Sequence, residues 1–118
     1  MALYTCGHII PDSDSVCSAI SLAYLLNKIG REATPARQGE LNPETKFILD
    51  KFGFEAPVLK TSFAGDELFI TDYSDIAQAP QDLDKTTVVG IVDHHKLGDI
   101  TTSAPLECWI RPVGCTNT

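Results

Sequence analysis

Apolar positions along the chain switch between a period of two and a period near 3.6, and the switching predicts alternating strands and helices. Leu3–Cys6 is a short, β-prone apolar run ending at Gly7-His8, which reads as a buried first strand. After the Pro11 break, Val16, Ala19, Ile20, Ala23, Leu26 and Ile29 recur at helical spacing. Gly30 then stands where a helix C-terminus favours glycine. Glu32–Arg37 reads as a second strand. Asn42-Pro43 opens the next helix, with Asn as cap and Pro in the first turn. Phe47, Ile48 and Phe52 form its expected buried stripe, and Gly53 ends it. A third strand, Glu67–Asp72, follows the Gly65-Asp66 turn. Thr87–Val92 is the clearest strand, a Val-Val-Gly-Ile-Val run of the kind buried on both faces. Leu106–Ile110 is a fifth candidate, with Trp109 as its packing anchor.

This succession predicts an α/β fold: a three-layer, doubly wound, mostly parallel sheet of about five strands with helices on both faces. In such folds ligands bind beyond the carboxyl ends of the strands. The chemistry-bearing residues fall at that edge. His8, Asp12 and Asp14 follow the first strand, Asp72 ends the third, and Asp93, His94 and His95 end the fourth.

Composition narrows the classes. The 118 residues suit one domain with its own core. A formal net charge of −7 argues against a non-specific nucleic-acid binder, which needs a basic surface to displace counterions. In a protein that handles phosphate, acidity instead suggests divalent cations between carboxylates and ligand. No secretory signal pattern and no membrane-length apolar run is present, so no membrane partner is expected. Cys6, Cys17, Cys108 and Cys115 show neither C-x-x-C pairing nor zinc spacing, which predicts reduced thiols in a cytoplasmic protein.

Each polar cluster has a bland and a chemical reading. His8 through Asp14 could be a loop plus a helix cap, or one imidazole and two carboxylates aimed at a common point. Asp93-His94-His95 could be a solvated turn. Alternatively, one histidine ligates a metal, its neighbour faces substrate, and Asp93 fixes an imidazole tautomer from behind. Asp72 could be a turn former. Three clusters on one predicted edge favour the chemical reading jointly. Two imidazoles with several carboxylates suit Mn²⁺ better than Mg²⁺, with Co²⁺ also compatible.

The ordered motifs carry a resemblance. Gly7-His8-Ile9-Ile10-Pro11-Asp12-Ser13-Asp14-Ser15 is similar to the opening motif of the manganese-dependent (family II) inorganic pyrophosphatases. Asp93-His94-His95 matches the tripeptide that names their Asp-His-His (DHH) phosphoesterase superfamily. Arg37-Gln38-Gly39-Glu40-Leu41-Asn42-Pro43-Glu44-Thr45 and Pro112-Val113-Gly114-Cys115-Thr116-Asn117-Thr118 resemble two further stretches of that family. The resemblance implies a dinuclear manganese site. His8, Asp12 and Asp72 would hold one ion and Asp14, Asp72 and His94 the other, with His95 as catalytic contact to the substrate phosphate. It implies hydrolysis of inorganic diphosphate to two phosphates, and a homodimer.

The chain departs from the family pattern at Tyr73-Ser74, where members usually carry His-Asn after the aspartate. Residues 1–118 are expected to be an incomplete N-terminal catalytic domain. The family's remaining aspartate ligand and its cationic clamp have no counterpart here, so little activity is expected of this stretch alone. Two other readings stand beside this one: another DHH phosphoesterase acting on oligonucleotides, nucleotides or polyphosphate, and a non-catalytic metal-binding domain.

Overall fold

A computed structural model describes residues Met1–Thr118. The strands are β1 Leu3–Cys6, β2 Thr34–Arg37, β3 Val58–Leu59, β4 Glu67–Thr71, β5 Thr87–Asp93 and β6 Glu107–Ile110. The helices are α1 Ser13–Lys28 and α2 Pro43–Phe52, with short 3₁₀ turns at Ile76–Gln78, Leu83–Lys85 and Cys115–Asn117. All neighbouring strands are parallel, in the order β3-β2-β1-β4-β5-β6. The chain therefore runs outward from β1 through β2 to β3, then returns to the other side of β1. That reversal between β1 and β4 is a topological switch point, where strand ends splay and leave a crevice.

Side-chain alternation in β1 divides the core between two faces. Leu3 and Thr5 face α1, where Thr5 Oγ1 donates to the Ala19 carbonyl at 2.7 Å. Leu3, Ala23, Leu26, Ala33 and Phe69 pack together on that side. Tyr4 and Cys6 join the opposite cluster with Phe63, Leu68, Ile70, Tyr73 and Ile91. Right-handed crossovers put α1 and α2 on one face, and Ser13 Oγ meets Thr45 Oγ1 at 3.0 Å between them. The other face is covered by the connections carrying the first two 3₁₀ turns, through Ala79 and Leu83.

Local signals set the helix ends. Asp12 caps α1 by accepting the Ser15 N–H at 2.8 Å, and Asn42 caps α2 by accepting the Thr45 N–H at 2.7 Å. Gly30 (φ +86°) and Gly53 (φ +73°) supply the left-handed residue that ends each helix. In β5 a bulge lets Leu68 pair with Val88 but Phe69 with Gly90. A Cβ at Gly90 would lie 2.4 Å from the Phe69 ring, so the aromatic ring occupies the space that glycine leaves.

The α/β, all-parallel architecture agrees with expectation; several details do not. The sheet has six strands rather than five, because β3 has only two residues and offers no periodicity to read. Strand β2 begins at Thr34 rather than Glu32, and β6 at Glu107 rather than Leu106. Phe47 and Phe52 are 64% and 65% exposed, and Ile48 is half-buried. Thr45, tied to Ser13 and the Asn42 cap, fixes the rotation of α2, so Thr45 and Leu49 turn inward. Trp109 is half-exposed, because β6 is the sheet edge and has β5 as its only neighbour. Val89 and Val92 are likewise only half-buried, so β5 is not fully covered on the α1 side. A mainly apolar groove of about 430 Å³ lies there, between α1 and β5–β6. No helix is long and apolar enough to cross a membrane.

Candidate metal centre

Three strand ends and one helix start converge at the switch point. Asp72 follows β4 directly and is 1% exposed. It is the one non-glycine residue with positive φ (+67°), a conformation that aspartate tolerates better than most side chains. Its N–H donates to the Val92 carbonyl at 2.8 Å, which holds the kink. The kink leaves a carboxylate with two oxygens serving two different groups. Oδ2 lies 3.2 Å from His8 Nε2 and accepts from Ser15 Oγ at 3.3 Å. Oδ1 lies 2.8 Å from His94 Nε2.

Each side has a further carboxylate. Asp12 Oδ2 lies 3.6 Å from His8 Nε2, and Asp14 Oδ2 lies 3.6 Å from His94 Nε2. The donor atoms of His8, Asp12 and Asp72 thus fall close enough to share an ion, as do those of Asp14, Asp72, His94 and Cys115, and those of Asp72, Asp93, His94 and His95. All three sets meet at Asp72. Within the third, His95 lies nearer Asp93 than Asp72. Its Nδ1 is 2.7 Å from Asp93 Oδ1 and 4.0 Å from Asp72 Oδ1. Asp93 Oδ1 also accepts the backbone N–H groups of His94 (2.8 Å) and His95 (3.3 Å). This fixes the turn and leaves the other ring nitrogen of His95 free to face outward.

Contacts far apart in sequence hold Asp14. Cys115 N donates to Oδ2 at 2.9 Å, while Thr116 N (2.9 Å) and Thr116 Oγ1 (2.8 Å) donate to Oδ1. Burial alone would raise the Asp14 pKa, but these hydrogen bonds outweigh it and hold the carboxyl below its ordinary value. The Asp72 hydrogen bond raises His8 against the opposing effect of burial, and the Asp93 bond raises His95 in the same way. Burial pushes the Cys115 thiol up to about 12, with Asp72 and Asp14 adding to the effect. The thiol is therefore neutral and donates to the Val92 carbonyl at 3.3 Å.

The donor chemistry fits divalent cations. Asp12, Asp14, Asp72 and Asp93 converge with no Lys or Arg partner; the only Lys and Arg ion pairs, Arg31–Glu107 and Lys60–Asp66, lie elsewhere. Asp93 Oδ2 is buried without any protein partner. Carboxylate oxygen with imidazole nitrogen, and so much uncompensated negative charge, suits an ion such as Mn²⁺.

Several contributors stand inside the family-like motifs, yet the sequence alone assigns them no role. Ser15, buried between His8 N (3.3 Å) and Asp72, is one; Gly7 leaves it space, since a Cβ there would lie 2.3 Å from its hydroxyl oxygen. Cys115 and Thr116 are others, because their partner Asp14 is about a hundred residues away. Tyr73, which stands where the resemblance suggests a histidine, turns into the core and is 3% exposed, with no protein group bonding its hydroxyl. Beside the convergent carboxylates lies a polar cleft of about 290 Å³, lined by His8, Asp72, Tyr73, Ser74, Asp75, Gln78, His95 and Lys96.

A parallel sheet with acidic and imidazole donors gathered at its switch point defines an α/β domain with a candidate metal site. A family model described as "DHH family, N-terminal domain" matches residues 2–118, and the chain belongs to that family. A relative from Archaeoglobus fulgidus named "Probable manganese-dependent inorganic pyrophosphatase" is 48% identical, over 98% of this chain and 40% of its own length. The manganese-dependent inorganic pyrophosphatase of Methanocaldococcus jannaschii is 44% identical, over 98% of this chain and 36% of its own. A crystal structure of a Methanococcus jannaschii protein assigned to family II of the inorganic pyrophosphatases superposes with a TM-score of 0.88 at 44% identity. That match covers 97% of this chain and 36% of the other. The chain thus spans 36–40% of the length of these relatives.

Proposed function

We propose that the protein carrying this chain hydrolyses inorganic diphosphate to two phosphates at a dinuclear manganese centre. The observation that carries this reading is the shared carboxylate of Asp72, whose two oxygens each face a different His–Asp pair. In this reading His8, Asp12 and Asp72 hold one ion, and Asp14, Asp72 and His94 the other. The relatives' names, which specify manganese and diphosphate, support both metal and substrate. Divalent ions held there would lower the pKa of an attacking water and neutralise charge developing on phosphate.

The chain's own residues supply placement. Asp72 spaces the two donor sets through one rigid, kinked carboxylate. Asp93 accepts from His95 Nδ1 and raises the imidazole pKa, so that the protonated ring donates its second N–H to a phosphate oxygen at the mouth of the cleft. Hydrogen bonds from Cys115 and Thr116 lock Asp14 so that its carboxylate cannot swing away.

Phosphate release from diphosphate by the metal-stripped protein, with and without added Mn²⁺, tests the proposal. Manganese-dependent release is expected, with His95→Gln lowering kcat by about 10²-fold or more. Release from short oligonucleotides exceeding that from diphosphate would overturn it.

A further inference from the structure

The polar cleft beside the metal centre contains one strongly basic residue, Lys96, immediately after the Asp93-His94-His95 turn. Three facts single it out. Lys96 forms no ion pair, a trait it shares with every lysine except Lys60, but it alone of the lysines lines this cleft. The cleft wall it shares with His8 and His95 carries just two carboxylates, Asp72 and Asp75. Its backbone is also fixed. Ser74 Oγ donates to the Lys96 carbonyl at 3.4 Å and accepts the Gly98 N–H at 2.8 Å. The Ser74 carbonyl accepts the Ile100 N–H at 3.2 Å, and Asp99 Oδ1 accepts the Ile76 N–H at 2.8 Å. Gly98 sits so close that a Cβ would lie 2.2 Å from the Ser74 carbonyl oxygen. The anchored backbone keeps the base of the Lys96 side chain at the cleft that it lines.

From this we infer that Lys96 binds the phosphoryl group of diphosphate that lies farther from the metal ions, and sets the preference for diphosphate over single phosphates. The inference rests on the diphosphate reading above. An ammonium is a point-charge partner suited to phosphate oxygens approached from several directions. Ions held by Asp12, Asp14 and Asp72 would neutralise one end of a diphosphate; the other end still carries charge, and Lys96 offers it a cation on the same cleft wall. Ser74 is the positioning residue that holds the turn.

The test is binding of imidodiphosphate, a non-hydrolysable diphosphate, to the Mn²⁺-loaded protein by calorimetry, with Mn²⁺ affinity measured separately. Lys96→Gln is expected to weaken imidodiphosphate binding about tenfold and to leave Mn²⁺ affinity and inorganic phosphate binding within about twofold of wild type. Lys96→Arg should restore most of the loss, because it keeps the charge. Lys96 is exposed, so neither variant should disturb folding. Equal imidodiphosphate affinity in Lys96→Gln and wild type overturns the role of Lys96 and leaves the diphosphate reading intact. A wild-type protein that binds Mn²⁺ but not imidodiphosphate overturns that reading, and this inference with it.

Discussion

Replacing Asp72 by asparagine separates a metal-bridging role from a structural one. Asn keeps the size of the side chain and tolerates left-handed backbone, so the φ of +67° adds little cost to the exchange. The change replaces one of the two oxygens by an amide NH₂, which cannot ligate, and leaves the other as a neutral amide oxygen. Oδ2 faces His8 and Oδ1 faces His94, so one donor set loses its shared atom and the other keeps only a weaker one. With Mn²⁺ at about a hundred times its dissociation constant, binding stabilises the native state by about 2.7 kcal/mol. For 118 residues the unfolding entropy is about 0.25 kcal/mol/K, so this gives a rise in Tm of about 11 °C. A hundredfold loss of affinity leaves about 0.4 kcal/mol, or about 2 °C.

The metal-free variant behaves differently. It loses the charge on the hydrogen bonds to His8 and His94 but also loses repulsion from Asp12, Asp14 and Asp93, so its stability should stay within about 2 kcal/mol of wild type. The assay is thermal unfolding of both proteins after chelation and again across a Mn²⁺ titration. Full Mn²⁺ stabilisation in Asp72→Asn would refute the shared-carboxylate argument. A metal-free loss of more than about 5 kcal/mol would show instead that Asp72 is the hub of a structural ion-pair network.

Two further outcomes are expected. Gly90→Ala places a methyl within 2.4–2.8 Å of the Phe69 ring and should cost about 1–3 kcal/mol in chemical denaturation. Phe69→Leu should recover part of that loss in the double variant, and simple additivity would refute the clash. Because the Asp14 carboxyl sits below its ordinary value of 3.8, the stability it contributes is present above that value. The contribution is lost as pH falls through the lower, folded-state pKa. Thr116→Val removes one donor to Asp14 and should make the acid limb of metal-free stability shallower; an unchanged limb would count against this assignment.

What could be read from sequence follows from the range of each signal. Asp12 and Asn42 cap their helices by contacts three residues on, and both caps are visible as short motifs. Strands β1 and β5 and the edge that collects His8, Asp72 and His94 follow from periodicity together with the parallel-sheet rule, while the open α1 side of β5 does not. Strand β3 is too short for periodicity. The exposure of Phe47 depends on how α2 rotates against Ser13, a tertiary contact that composition does not encode. The grip of Cys115 and Thr116 on Asp14 is invisible for the same reason: the residues meet only after β5 and β6 have paired with the sheet.

Tyr73-Ser74 shows how a departure from a family pattern can mislead when read residue by residue. Taken as a sequence, it resembles the loss of a metal-site histidine and hints at a degenerate centre. In the fold the two positions diverge. The kink at Asp72 turns Tyr73 into the apolar core beside Cys6 and Ile70, away from the donor sets. None of the three donor sets includes residue 73: they are His8, Asp12 and Asp72; Asp14, Asp72, His94 and Cys115; and Asp72, Asp93, His94 and His95. Ser74, on the other side of the backbone, spends its hydroxyl and carbonyl on the turn that follows the paired histidines. Substitution at 73 is therefore a matter of core packing and at 74 a matter of loop placement. The candidate centre feels position 73 through Asp72 and position 74 through the turn that follows His94 and His95, and the departure by itself gives no reason to read the site as inactive.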